Sequence, residues 1–387
     1  MTEVELQGSL PAALERRGVS RRQFLRFCSA MAALLVLPER YSEKIAYALE
    51  AAAKPVLVWL EFQDCAGNTE SMLRSSHPSV VDVVLDVLSW EYHETIMSGS
   101  GKQAEATLQR VVEEQKGQYI AVVEGAIPGA DGGIYCTIGG RTALDIAREV
   151  CGAAAATIAV GACAWDGGLV RNGPTGAMGV DEAVPGLKNL INLGGCPHNP
   201  ANTAAVLTHY LTFKELPAVD QYHRPLFAYG ELIHDHCERR AHFDAGRFVE
   251  EWGDEGSRRG WCLYKMGCKG PAATYNCPIV RWNDQTSWPV GSGHGCIGCA
   301  APRFWDQMSP FYQRLPAVPG VVSDVTATQI GLGLTAATAA AFAAHGVLSG
   351  IRARVRPPQA EAPAAVEPAP PSEPPTSTVP PASEQTS

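Results

Sequence analysis

The stretch PVLVWLEFQDCAGNTES, Pro55 to Ser71, decides the fold. An apolar run of strand length gives way to polar turn residues and a cysteine, so it reads as a buried β-strand whose carboxyl end presents Cys65. Open α/β sheets bind their ligands at such ends. Taken alone, Cys65 fits a disulfide, a nucleophile or a metal ligand, and its neighbours must decide. The runs YIAVVEG (119–125), ATIAVGA (156–162) and LINLGG (190–195) repeat the pattern, and SVVDVVLDVLS (79–89) adds a candidate strand. Helical periods fill Glu105 to Gln115, Thr142 to Cys151 and Asn202 to Leu211. Strands alternating with helices predict an α/β domain built on a mostly parallel sheet covered on both faces. Cys163 follows ATIAVGA and Cys196 follows LINLGG, so the predicted sheet gathers Cys65, Cys163 and Cys196 at one edge. One shared ligand is more economical than three unrelated thiols. Cys151 reads as a buried helix cysteine.

Beyond Val219 the sequence becomes loop-rich, with Gly, Trp and dense cysteines: Cys237, Cys262, Cys268, Cys277, Cys296 and Cys299. A region with so few periodic segments needs staples. Disulfides are one solution where the chain is exported. The spacing argues for metal instead, because Cys296 and Cys299 form C-x-x-C and His234 and Cys237 form H-x-x-C, each aiming two ligands at one centre. Two closed zinc sites explain six cysteines poorly; iron–sulfur clusters suit the count better.

The two ends read as addresses. In SRRQFLRFCSAMAALLVLP, Arg21 and Arg22 with Phe24 and Leu25 precede a modest apolar stretch, the pattern of a twin-arginine export signal, with Cys28 inside it. Small-residue sites at Ala46 to Ala48 or Ala51 to Ala53 suit cleavage, so residues 1–53 are expected to be signal and the mature structure to begin near Lys54. That route carries folded proteins, as a cofactor inserted in the cytoplasm requires. From Val325 to Ile351 no Lys, Arg, Asp or Glu occurs, and the length suffices to cross a hydrocarbon core of roughly 30 Å as a transmembrane helix. Arg352, Arg354 and Arg356 follow it and Asp324 precedes it, which places the C-terminus in the cytoplasm and the body on the periplasmic or outer side of the cell membrane. The helix is rich in Ala, Gly and Thr, which suits packing against other membrane helices; His345 lies within it. Residues 352–387 are Pro-rich and expected to be disordered. The formal charge of −9 argues against nucleic acid as a partner.

The segments SWEYHETIM, IHDHCERRAHFDAGRFVEEWGDE, WCLYKMGCKGP and RWNDQTSWPVGSGHGCIGCA together resemble the small subunit of membrane-bound uptake nickel-iron hydrogenases, and the likeness runs from the twin-arginine segment through the anchor helix. The resemblance implies a flavodoxin-like doubly wound sheet over 54–218 and an iron–sulfur domain over 219–320. It gives His234, Cys237, Cys262 and Cys268 to a distal 4Fe-4S cluster, and Cys277, Cys296 and Cys299, with Pro278 beside the first, to a medial 3Fe-4S cluster. Cys65, Cys163 and Cys196 correspond to three of the four ligands of a proximal cluster. Here the sequence departs from the family: Asn68 stands where the second thiolate of a C-x-x-C belongs, and Gly67 and Gly168 stand where oxygen-tolerant relatives carry extra cysteines. An amide is a poor iron ligand. Asp166, three residues after Cys163, is the first candidate for the fourth ligand, Cys136 the second and Asp64 the third, with a three-iron cluster as the fallback. The two separated C-x-x-C pairs of a nickel-iron centre are absent, so the chain is expected to hold no catalytic residue. The resemblance implies an electron relay from a large subunit that oxidises dihydrogen to a membrane cytochrome b and quinone. The competing expectations are a relay subunit of another respiratory oxidoreductase and a zinc-stapled, membrane-anchored binding protein.

Overall fold

The computed structural model describes residues 14–15, 18–51, 54–74, 88–283, 285–315 and 327–355. Two compact units divide the chain, one ending at Leu315 and one beginning at Pro316.

The first unit is organised by five parallel strands: β1 (Val56–Glu61), β2 (Ser89–His93), β3 (Ile120–Glu124), β4 (Ala156–Val160) and β5 (Leu190–Leu193). They lie in the order 2-1-3-4-5 and every pairing is parallel. Four of them are the apolar runs singled out above. The expected strand at 79–89 falls almost wholly outside the described residues, and the observed edge strand is the half-polar SWEYH.

Strand pleating sends alternate side chains to opposite faces. Leu57, Trp59, Ile120, Val122, Ile158 and Ile191 enter one apolar cluster, and Val58, Leu60, Ala121, Val123 and Ala159 enter the other. On the second face pack α4 (Lys102–Glu114), through Leu108 and Val111, and α5 (Ala143–Ala153), through Ile146, Ala147 and Val150. Cys151 is buried in α5, as expected. The first face is covered by α7 (Pro200–Phe213) and, beyond it, by a helical hairpin from the N-terminal segment.

Within residues 1–53, expected above to be signal, the described segment forms a packed hairpin. Helix α1 (Arg21–Leu34) starts on a capping box between Ser20 and Gln23, which satisfies two N-terminal donors at once. Phe24, Phe27, Cys28 and Met31 recur at helical spacing, and all are buried. Helix α2 (Tyr41–Ala51) adds Ile45, Ala46 and Leu49, also buried. Tyr41 lies 5.9 Å from the Phe213 ring and the Lys44 ammonium 4.5 Å from it, so the hairpin is held to the end of α7. Arg21 and Arg22 stay exposed. An apolar face wide enough to pack has found a partner, which is a tertiary outcome that the signal pattern does not encode.

From Val219 to Leu315 the chain forms short helical turns joined by loops. Arg224 ties this half to the sheet domain. It is buried, pairs with Asp220 at 2.8 Å, donates to the Ala300 carbonyl at 2.9 Å and stacks near Trp165, Tyr222 and Tyr229. The second unit contains one long helix, α8 (Ala327–Val355), of which Gly331–Arg352 is long and apolar enough to cross a membrane. The Pro-rich tail beyond Val355 lies outside the described residues.

Candidate metal-cluster relay

All twelve cysteines of the sequence are free thiols. Ten of the residues named above as ligands form three neighbouring groups.

The first group sits at the carboxyl edge of the sheet. Cys65 lies between β1 and α3 (Gly67–Leu73), Cys163 in the short helix α6 (Gly161–Asp166) after β4, and Cys196 in the turn after β5. Each thiol is a close electrostatic neighbour of the others. Two glycines make room beside them: a Cβ on Gly67 would lie 3.1 Å from the Cys65 Sγ, and one on Gly168, whose φ is +50°, would lie 2.7 Å from the Cys163 Sγ. Gly67 and Gly168 are therefore thiol cradles. Burial, then Cys65, Asp166 and Asp64, pushes Cys163 up to about 11, and burial, then Cys299, Cys163 and Cys65, pushes Cys196 up to about 12. Both are protonated at neutral pH unless a metal displaces the proton, the usual coupling between thiolate ligation and metal binding.

Asn68 faces away from a ligand's role. Its backbone N–H and side-chain NH₂ donate to Glu124 at 2.8 and 3.2 Å, and its Oδ1 accepts from the His198 backbone N–H at 2.9 Å and ring Nδ1–H at 3.1 Å. Asp166 is engaged as well. One oxygen accepts from the Gly168 N–H at 3.0 Å and the other from the Arg303 N–H at 2.6 Å, so the carboxylate clamps the loop beside Cys163 to the cysteine-rich half. Cys136 is half-buried near Asp64 and Glu94. Asp64 accepts the Ala66 N–H on one oxygen at 3.1 Å and is felt at both Cys163 and Cys136. Burial and then Glu124 raise it to about 6.

Sequence reasoning overlooked a set of buried acids behind this edge. Glu61 and Glu124 end β1 and β3, where an acid closing a continuous apolar run was the available signal. Glu124 is wholly buried and accepts from Trp59 Nε1, Thr69 N–H and Thr69 Oγ1 as well as Asn68. It thereby fixes the start of α3 and the loop that presents Cys65. Glu61 accepts from Thr69 and Thr95 and pairs with His93 at 3.5 Å. Glu94, close by, is raised to about 8, mainly by burial.

The second group, Cys277, Cys296 and Cys299, lines a cavity of about 370 Å³ walled by Tyr275, Trp282, Trp288 and Ile297. Cys196 of the first group reaches the same cavity and neighbours Cys299. The third group, His234, Cys237, Cys262 and Cys268, lines its own small cavity with Leu263, Pro271 and Val290. Second and third groups touch directly, for the Cys296 N–H donates to the Cys268 Sγ at 3.3 Å. The Arg239 N–H donates to the Cys237 Sγ at 3.4 Å, and the Gly298 N–H to the Cys296 Sγ at 3.3 Å. Such donors stabilise thiolates. His234 Nε2 is buried with no hydrogen-bond partner among the described residues. Burial, then Arg240, holds this imidazole below its ordinary range, so it is neutral and offers a lone pair into a cavity of three thiols. An orphaned imidazole nitrogen beside three thiols fits a metal site.

Residues 229–312 match the family described as the C-terminal part of the NiFe/NiFeSe hydrogenase small subunit, and residues 65–210 match the family of the NADH ubiquinone oxidoreductase 20 Kd subunit. The quinone-reactive Ni/Fe-hydrogenase small chain of Wolinella succinogenes is 44% identical over 346 residues, covering 87% of this chain and 97% of the relative. The uptake hydrogenase small subunit of Azotobacter vinelandii is 42% identical over 341 residues, covering 88% and 95%. Among solved structures, the reduced, active Ni-Fe-Se hydrogenase of Desulfomicrobium baculatum superposes with a TM-score of 0.63 at 33% identity, over 67% of this chain and 99% of that one.

Proposed function

The chain belongs to the small subunits of nickel-iron hydrogenases, partners in an oxidoreductase heterodimer whose active site lies on the large subunit, and from that membership we propose that it relays electrons from dihydrogen oxidation through three iron–sulfur clusters to a membrane cytochrome b and quinone. The observation that carries this reading is the unbroken succession of ligand groups, joined by Cys196 to Cys299 and by Cys296 to Cys268.

In this reading His234, Cys237, Cys262 and Cys268 hold a distal 4Fe-4S cluster, Cys277, Cys296 and Cys299 a medial 3Fe-4S cluster, and Cys65, Cys163 and Cys196 a proximal one. When bound, such clusters supply one-electron carriers whose potentials follow ligand charge, hydrogen bonding and burial. A neutral imidazole from His234 makes the distal site less negative than four thiolates would. At the proximal site the commitments of Asn68 and Asp166 favour Asp64 as fourth ligand, with Cys136 or a three-iron centre behind it. The strand order 2-1-3-4-5 supports a flavodoxin-like description of the sheet domain over 54–218, with the iron–sulfur domain over 219–320. Twin-arginine export of the folded chain, α8 as its anchor, a body on the outer side and a C-terminus in the cytoplasm complete the proposal. A name such as quinone-reactive, carried by a relative, agrees with delivery to quinone.

The test is electron paramagnetic resonance with iron and sulfide counts on the purified heterodimer, comparing the parent protein with Asp64→Ala, Asp166→Ala and Cys136→Ala. The expected result is three signals in the parent, with the proximal one alone altered by Asp64→Ala. A parent protein without iron or acid-labile sulfide refutes the relay; an unaltered proximal signal in Asp64→Ala removes that ligand.

A further inference from the structure

Lys269 is a cation buried between the second and third ligand groups. It follows Cys268 in sequence, its side chain is among the largest that are fully buried, and its residue is only 2% exposed. Its backbone N–H donates to the Cys296 carbonyl at 2.7 Å, so its main chain lies against a ligand of each group, Cys268 on its own strand of loop and Cys296 on the facing one. The ammonium donates to the carbonyl oxygens of Pro310, at 2.9 Å, and Gln313. Among the described residues no carboxylate pairs with it. A buried ammonium with only carbonyl acceptors is costly, and such charges are normally paired. Burial acts most strongly on Lys269 and holds its ammonium below the usual lysine range, while Cys268 and Cys296, the groups that interact with it, favour the charged form.

We propose that Lys269 is a fixed positive charge that raises the reduction potentials of the medial and distal clusters together, keeping the step between them open to an electron. The inference rests on the three-cluster reading above. The physics is Coulombic: each cluster gains one negative charge on reduction, and a nearby cation stabilises the reduced form more than the oxidised one. Because the main chain of Lys269 lies where the two groups meet and its charge interacts with a cysteine of each, one residue acts on both. The proximal group, reached only through Cys196, receives less of its field.

The experiment is a redox titration of the purified heterodimer followed by electron paramagnetic resonance, in the parent protein, Lys269→Met and Lys269→Arg. Methionine keeps most of the volume without the charge; arginine keeps the charge. Lys269→Met is expected to lower the medial and distal midpoints, at least one of them by a tenfold change in the reduced-to-oxidised ratio at fixed potential, 59 mV for a one-electron couple. The proximal midpoint should move less, and Lys269→Arg should stay near the parent. Unchanged midpoints in Lys269→Met with full iron content overturn the inference and leave the relay intact. So does loss of iron in Lys269→Met with full iron and parental midpoints in Lys269→Arg and loss again in Lys269→Gln, because the ammonium would then be a clamp on the 310–313 loop. A parent protein without clusters ends both this inference and the reading beneath it.

Discussion

At the scale of single residues, the first ligand group depends on what is missing from its surroundings as much as on its thiols. Gly168 combines a left-handed φ of +50° with a would-be Cβ only 2.7 Å from the Cys163 Sγ and 2.9 Å from its backbone. Alanine there brings strain of roughly 1–2 kcal/mol from the backbone and a collision that only movement of Cys163 relieves. Gly168→Ala is expected to lose iron from the proximal site while the medial and distal signals persist, by metal analysis and electron paramagnetic resonance. Gly186→Ala is the control, since Gly186 has a φ of +85° with nothing within 4 Å of its Cβ position. If both variants behave alike, backbone strain and not the thiol cradle is responsible. The ten proposed ligands could be named from the sequence because cysteine and histidine spacing survives folding unchanged. The supporting acids could not. Glu124 acts through Trp59, Asn68 and Thr69, which come from two other segments, and only the fold brings these together. Its spacing from Cys163 made Asp166 the first candidate, and only the fold shows that each of its oxygens also accepts a backbone N–H.

At the scale of elements, the strands that could be read were those buried on both faces, where a continuous apolar run leaves no ambiguity. Edge strand β2 is half polar, and only Tyr92 and His93 in it are fully buried, so periodicity gave it no signature. The N-terminal hairpin has a functional consequence. The small-residue site Ala46 to Ala48 lies inside α2, with Ala46 buried and Tyr47 exposed. A peptidase takes its substrate extended, so cleavage there requires the helix to leave α7 and unwind. Ile45, wholly buried, anchors that docking. Burying an isoleucine contributes roughly 1.5–3 kcal/mol, so Ile45→Asp should raise the open population by about ten- to a hundredfold. Timed digestion of the full-length precursor with an elastase-type protease, read by mass spectrometry, should show cleavage between residues 46 and 49 accelerated to that extent. Equal rates in parent and variant would mean that the hairpin opens without leaving its site.

At the scale of the whole molecule, the two compact units differ in what their surfaces offer a solvent. The first holds every proposed ligand and both apolar clusters of the sheet. The second offers one helix whose side chains from Gly331 to Gly350 are all exposed, a surface of Leu, Ala, Phe and Val that water tolerates poorly and lipid accepts. Nothing proposed for dihydrogen oxidation or for the three ligand groups calls on that helix. Delivery to a membrane acceptor does, because the acceptor must be met at close range. Ending the chain after Leu315 should therefore release the heterodimer from membranes into the soluble fraction with its iron content unchanged. Dihydrogen-dependent reduction of a soluble dye should continue near the parental rate, whereas reduction of quinone by isolated membranes should fall by at least tenfold. Comparing the two acceptors on one preparation separates the parts: loss of both activities would place the helix within the structure that supports the relay, and retention of both would leave α8 without a role in electron delivery.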